Sequence, residues 1–146
     1  MRVMLKSAYL PYDSNDGTRY LVETLWPEGV EMHGLSPYLW VHELAPSYYM
    51  KEKALGQHWG TERFRAEYRQ ELQEPHRRTW YDLILAEARK KGVTLLHGSH
   101  KKESQILPED TTAYYLKEFL EAAAAVGRPA AGSNQAAEQW ANEGGK

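Results

Sequence analysis

The stretch Arg89-Lys90-Lys91-Gly92-Val93-Thr94-Leu95-Leu96-His97-Gly98 constrains the fold more than any other part of the chain. It opens with a basic run suited to a helix C-terminus, where cations meet the negative end of the macrodipole. Gly92 then supplies the residue type that most often ends such helices. Four apolar or β-branched residues follow at once, bounded by Gly98. A helix that stops on glycine and runs straight into an apolar strand is typical of an α/β unit with a buried parallel strand. The helix reads back to Pro75, with Trp80, Leu83, Ile84 and Ala88 on its apolar face.

The remaining elements agree with an α/β class. Val3-Met4-Leu5 with Ala8-Tyr9-Leu10 reads as a strand ending at Pro11, followed by turn residues Asp13 to Gly17. Tyr20 to Trp26 is rich in β-branched and aromatic residues and reads as a second strand, broken by Pro27-Glu28-Gly29. Ser36-Pro37 has the form of a helix start, with Leu39, Trp40 and Leu44 inside and an end before Pro46. A short helix is expected around Lys51 to Leu55, with Ser47 as its cap. Phe64, Tyr68 and Leu72 recur every four residues, the mark of an apolar helical stripe. Pro108-Glu109-Asp110 opens a last helix that carries Ala113, Leu116, Phe119 and Leu120. The expectation is a single α/β domain over residues 1–121: a small, mainly parallel sheet flanked by helices in a Rossmann-like three-layer arrangement. Residues 122–146 are rich in Ala and Gly, and read as a tail with a short docked helix near Trp140.

Composition narrows the function. The 146 residues carry 18 basic and 20 acidic groups, and neither half is a basic patch. This argues against nucleic acid as a partner. No apolar run approaches the roughly 20 residues of a membrane span, and the N-terminus lacks a signal-like apolar stretch. A cytoplasmic protein is expected. There is no cysteine, so disulfides, thiolate nucleophiles and Cys-type metal sites are excluded. No dinucleotide or phosphate-loop glycine motif is present, nor a G-x-S-x-G elbow. Ten Tyr and five Trp stand against two Phe, an amphipathic aromatic set suited to gripping a partner.

Ligands of open α/β sheets sit beyond the carboxyl ends of the strands. That rule selects two loops, Trp26 to Ser36 and His97 to Gln105. In the second, His97, Ser99 and His100 are candidate acid, base or nucleophilic groups, Gly98 allows close backbone approach, and Lys101 can meet an anion. In the first, Trp26 and Gly29 would wall a pocket and Glu23 would be a base if buried there. His33, His42, His97 and His100 would together offer imidazoles to a divalent metal or haem iron.

Several of these segments together resemble a known family. Arg19-Tyr20-Leu21-Val22, Leu25-Trp26-Pro27-x-Gly29, Trp40, and Leu44-Ala45-Pro46-Ser47 occur in family order, followed by Phe64, Tyr68, Glu71-Leu72 and Val93-Thr94-Leu95-Leu96. This pattern is similar to the YeaO-like branch of domain-of-unknown-function family 488. The resemblance implies a small α/β domain and supplies no established reaction. It also marks departures. The family pattern reads Asp-Arg where this chain has Glu23-Thr24, Arg where it has Glu28, and Lys where it has His42. Arg19, an arginine of the family pattern, is kept and would stand near the strand-end pocket.

Three functional readings follow. The first is a domain that binds a small polar ligand at the carboxyl ends of its strands, with Arg19, Glu23, Trp26, Gly29, Gly98 and Lys101 as contacts. The second is a His-ligated metal or haem enzyme acting on a small molecule. The third is a non-enzymatic interaction domain or homo-oligomer, motivated by Tyr48-Tyr49-Met50.

Overall fold

A computed structural model describes residues 1–98 and 112–127 of the chain. Four strands, β1 (Val3–Ser7), β2 (Thr18–Leu21), β3 (Leu39–Trp40) and β4 (Val93–His97), form one sheet in the order β1-β4-β2-β3. All three pairings are parallel. β4 is central, with Leu95 opposite Leu5 on one side and Tyr20 on the other. Both its edges are hydrogen-bonded and both its faces are covered, so all five of its residues are buried. An uninterrupted apolar run is what such a strand requires.

Four helices contribute to the core on one face: α2 (Tyr48–Gly56), α3 (Thr61–Glu71), α4 (Pro75–Lys90) and α5 (Thr112–Gly127). Met50, Tyr68, Ile84, Leu85, Leu116 and Leu120 join Val3, Leu5, Tyr20, Val22 and Leu95 in this core. The opposite face is smaller. There α1 (Met32–Leu35) places Leu35 with Ala8, Leu21 and Leu96, and Trp26, Val30, Tyr38 and Trp40 close the cluster. The result is a three-layer α/β fold, as expected. Among the described residues no helix is long and apolar enough to cross a membrane.

The α4–β4 joint forms as its sequence predicts. Gly92 has a φ of 91° and donates its N–H to Glu87 O at 3.1 Å. A Cβ there would come within 2.6 Å of Arg2 Nε, which is backed by its own guanidinium. Ser47 caps α2, its hydroxyl accepting from Met50 N at 3.0 Å.

Other expectations are corrected. The first strand stops at Ser7 and the second at Leu21, short of Pro11 and Trp26. Ser36-Pro37 starts no helix. It follows α1 through a cis peptide bond, and Leu39–Trp40 pairs with Tyr20 and Leu21 as an edge strand. Tertiary pairing, together with an indole N–H held by Glu23 O at 2.8 Å, overrides the local helix signal. On α4 the inward face is one residue out of phase with the expectation. Tyr81 is buried with Ile84, Leu85 and Ala88, while Trp80 and Leu83 are exposed. The Tyr81 hydroxyl finds Phe119 O at 3.0 Å, which lets a polar tip enter the core. Helix α5 runs beyond residue 121 and buries Ala124, so the composition change at Ala122 does not end it. The short helix expected near Trp140 lies outside the described residues.

A polar clamp ties the helices to the sheet-end loops. Tyr68, with no exposed surface, donates its hydroxyl to Leu44 O. Arg77 donates to Ala45 O at 2.6 Å and Glu43 O at 3.1 Å, and Glu71 accepts from Ser47 N and Oγ at 2.7 and 2.5 Å. Tyr68→Phe leaves the buried Leu44 carbonyl without its partner while keeping the ring. Denaturant unfolding should record a loss of about 1–3 kcal/mol, the cost of an orphaned buried acceptor.

Candidate functional site

Beyond the carboxyl ends of β2 and β4 the chain closes on itself. Glu23 follows Val22, whose N–H still reaches Leu96 O at 2.9 Å. The Glu23 carboxylate turns across the sheet end and accepts the Gly98 N–H at 2.8 Å. The loop after Trp26 seats Pro27 so close that a Cβ on Gly98 would lie 3.3 Å from Pro27 Cβ. Thr24 donates its hydroxyl to Pro46 O at 2.8 Å, and the Trp26 indole donates to Val30 O at 2.7 Å. The two indoles meet edge to face, 5.2 Å apart, and His42 lies 4.3 Å from Trp40. Gly29 takes a φ of 80° in the turn where Val30 N reaches Pro27 O, so it serves the turn itself.

Electrostatics reinforce this closure. Burial pushes the Glu23 carboxyl above its ordinary value, against the opposing pull of the Gly98 N–H and of Lys51. His97 is 1% exposed, and burial pushes its imidazole down to about 4, so it is neutral near pH 7. The expected sites divide accordingly. Glu23, Trp26, Gly98 and His97 are brought to one sheet end, with Gly29 in the adjoining turn. Ser99, His100 and Lys101 lie outside the described residues. His33 and His42 are exposed, and among the described residues no three His or carboxylate groups stand close enough to hold a metal ion. Of the four imidazoles expected to converge, His97 is a core residue, His33 and His42 are surface residues, and His100 lies outside the described residues.

Arg19 is also displaced from its expected place. It pairs with Thr94, three residues below His97, which at roughly 3.3 Å per residue is about 10 Å from the strand end. Its side chain is wholly buried beside Asp16 and beneath the Tyr12 ring. Desolvation lowers its pKa from the ordinary arginine value, partly offset by Asp16. Sequence reasoning missed the neighbours Lys6, Tyr12 and Asp16. The only local signal was the Asp16-x-x-Arg19 spacing.

Two predictions follow from this geometry. Glu23 has a raised folded pKa, so the stability tied to its protonated form is lost as pH rises through that pKa. Glu23→Gln, which keeps an acceptor for Gly98 N–H, should melt above the wild type at pH 7, with the gap closing in acid. Glu23→Ala, which orphans that N–H, should instead be destabilised by about 1 kcal/mol. His97 shows the opposite sign. Its unfolded imidazole binds a proton near pH 6.5 and its folded one near 4, so stability should fall as pH drops through that window. Thermal melts of wild type and His97→Gln should show a shallower pH slope for the variant.

Comparisons with known proteins place the chain. The family described as the inactive DUF488-N3 subclade matches residues 2–138. The uncharacterized protein YeaO of Escherichia coli (strain K12) is 31% identical over 101 residues, covering 68% of this chain and 84% of its own length. The uncharacterized protein Rv3073c of Mycobacterium tuberculosis (strain ATCC 25618 / H37Rv) is 30% identical over 73 residues, covering 50% of this chain and 62% of its own. No solved structure matches. The sheet-end framework described above, Trp26-Pro27-x-Gly29 and Leu44-Ala45-Pro46-Ser47 included, is therefore that of a YeaO-like protein, and the chain belongs to the inactive DUF488-N3 subclade.

Proposed function

We propose that this chain works as a non-catalytic interaction domain that docks a second copy of itself through the face formed by α2 and α3. The observation that carries the reading is that the two most exposed large apolar side chains among the described residues, Leu55 and Tyr49, both lie on α2, together with Tyr48. Leu55 is 79% exposed, Tyr49 72% and Tyr48 57%. Tyr48 and Leu55, with Trp59 and Phe64, border a groove of about 710 Å³, and Tyr49, Met50 and Trp59 border a second one of about 460 Å³. Scattered single apolar residues on a surface need no explanation, but a contiguous aromatic patch does.

Charge on the same face favours a second copy. Lys51 and Lys53 line these grooves together with Glu52, Glu67 and Glu74. A two-fold interface sets one patch against itself, so both signs must lie within it. The strand end offers less to a ligand. Glu23, Thr24, Trp26 and Gly98 are joined to one another or to nearby backbone, and two of them stand where the family pattern has Asp-Arg. A subclade described as inactive is consistent with that replacement.

Light scattering on the purified chain tests the proposal. The expected result is a dimer that the double variant Tyr49→Glu, Leu55→Glu converts to monomer with its melting temperature kept, since both side chains are exposed. A wild type that stays monomeric at the highest concentration it tolerates overturns the proposal.

A further inference from the structure

We propose that Arg19 and Lys6 form a binding site for a small oxyanion, a carboxylate or phosphate group, on the α1 face of the sheet and apart from the docking face. The site rests on a guanidinium without acceptors. The Arg19 side chain has no exposed surface, and among the described residues none of its three nitrogens has a hydrogen-bond partner. Its nearest carboxylate, Asp16, lies 3.6 Å from Nε, beyond hydrogen-bond reach. That carboxylate is already engaged. Lys6 Nζ donates to its two oxygens at 2.9 and 3.2 Å, and Asp13 N donates to one of them at 3.2 Å. Thr94, across the sheet from Arg19, gives its hydroxyl to Asp16 O at 2.6 Å.

Arg77, partly buried, is better partnered, although its Nε also lacks a hydrogen-bond partner among the described residues. Its Nη1 serves two carbonyls, and Glu74 lies 3.2 Å from its Nε. Arg19 has no such carbonyls. A buried guanidinium carries five N–H donors, and leaving charged donors unmet is among the costliest arrangements a fold can hold. Orphaned buried groups of this kind mark a missing water or ion. Here the charge balance selects an ion of one sign. Lys6 and Arg19 bring two positive charges against one from Asp16. One positive charge is left over, and the planar guanidinium fork matches the two oxygens of a carboxylate or phosphate.

Access runs past Tyr12 and Lys6. The Tyr12 ring centroid lies 5.3 Å from the guanidinium carbon, and Tyr12 is itself 46% exposed. Lys6 keeps 14% of its side chain exposed. Tyr12 is the exposed group lying over the guanidinium, so its side chain is the one that would have to swing aside to admit an ion.

The experiment titrates the full chain with sodium phosphate and, separately, sodium acetate, against sodium chloride at matched ionic strength. Saturable stabilisation by either oxyanion, a rise of about 3–6 °C at ten times its dissociation constant, is expected. Phosphate alone identifies a phosphate group, acetate alone a carboxylate, and both the shared oxyanion chemistry. Arg19→Met, which fills the same volume without charge, should abolish the rise. An equal rise in Arg19→Met, or no rise in wild type beyond that of chloride, overturns the site. Should the variant fail to fold, the Arg19 Nε–Hε NMR signal of wild type decides instead: it must move saturably with the oxyanion, and a signal that stays in place refutes the proposal.

Discussion

Everything in this fold is arranged around a strand that has no free side. β4 pairs with β1 and β2 and is buried on both faces, so each of its groups must be satisfied by what surrounds it. Val93 and Leu95 meet this demand by packing into the larger core, and Leu96 by packing against Ala8, Leu21 and Leu35. Thr94 meets it by donating to Asp16 O. His97 meets it by remaining neutral. The backbone beyond the strand meets it through Glu23, which accepts the Gly98 N–H in place of the next ladder partner.

The same accounting explains what the shared motif residues do. Leu44-Ala45-Pro46-Ser47 presents four successive backbone groups to the side chains of buried Tyr68 and half-buried Arg77, Thr24 and Glu71. These hydrogen bonds join α3 and α4 to the loops at the carboxyl end of the sheet. Trp26 and Trp40 likewise serve as internal donors as well as apolar bulk. The letters that carry the family resemblance thus hold the architecture. The positions that depart from it, Glu23 and Thr24, are absorbed into the same network. A guanidinium at residue 24 would need a different environment from the one that holds a short hydroxyl against Pro46 O.

Two places remain outside that network. The α2–α3 face leaves large aromatic and aliphatic groups in water, although α2 is correctly capped and its inward Met50 is buried. The Arg19 cluster leaves a charge inside the protein with too few acceptors. One is apolar area exposed to solvent, and the other is an unmet polar group buried away from the surface. Each is an imbalance that a second molecule would correct, by opposite physics.

Sequence alone determined the elements whose signals are local and reinforce one another. The Lys91-Gly92-Val93 joint, the Ser47 cap and the Phe64, Tyr68, Leu72 stripe were legible because helix termini and periodicity are short-range effects. The parallel α/β class followed from them, and the Tyr48-Tyr49-Met50 run stood out as the basis for an interaction reading. Tertiary structure decided what depends on distant partners. Leu39–Trp40 became a strand because β2 offered an edge and Glu23 offered a carbonyl to the indole. The α4 face settled on Tyr81 instead of Trp80 because Phe119 O lay within reach of a phenol. Arg19 stood out in the sequence as a candidate contact, but its burial below the strand end, beside an Asp16 already held by Lys6, emerged only in the fold. Hydrogen-bond competition among residues far apart in the chain has no period and no spacing, so only the folded arrangement could resolve it.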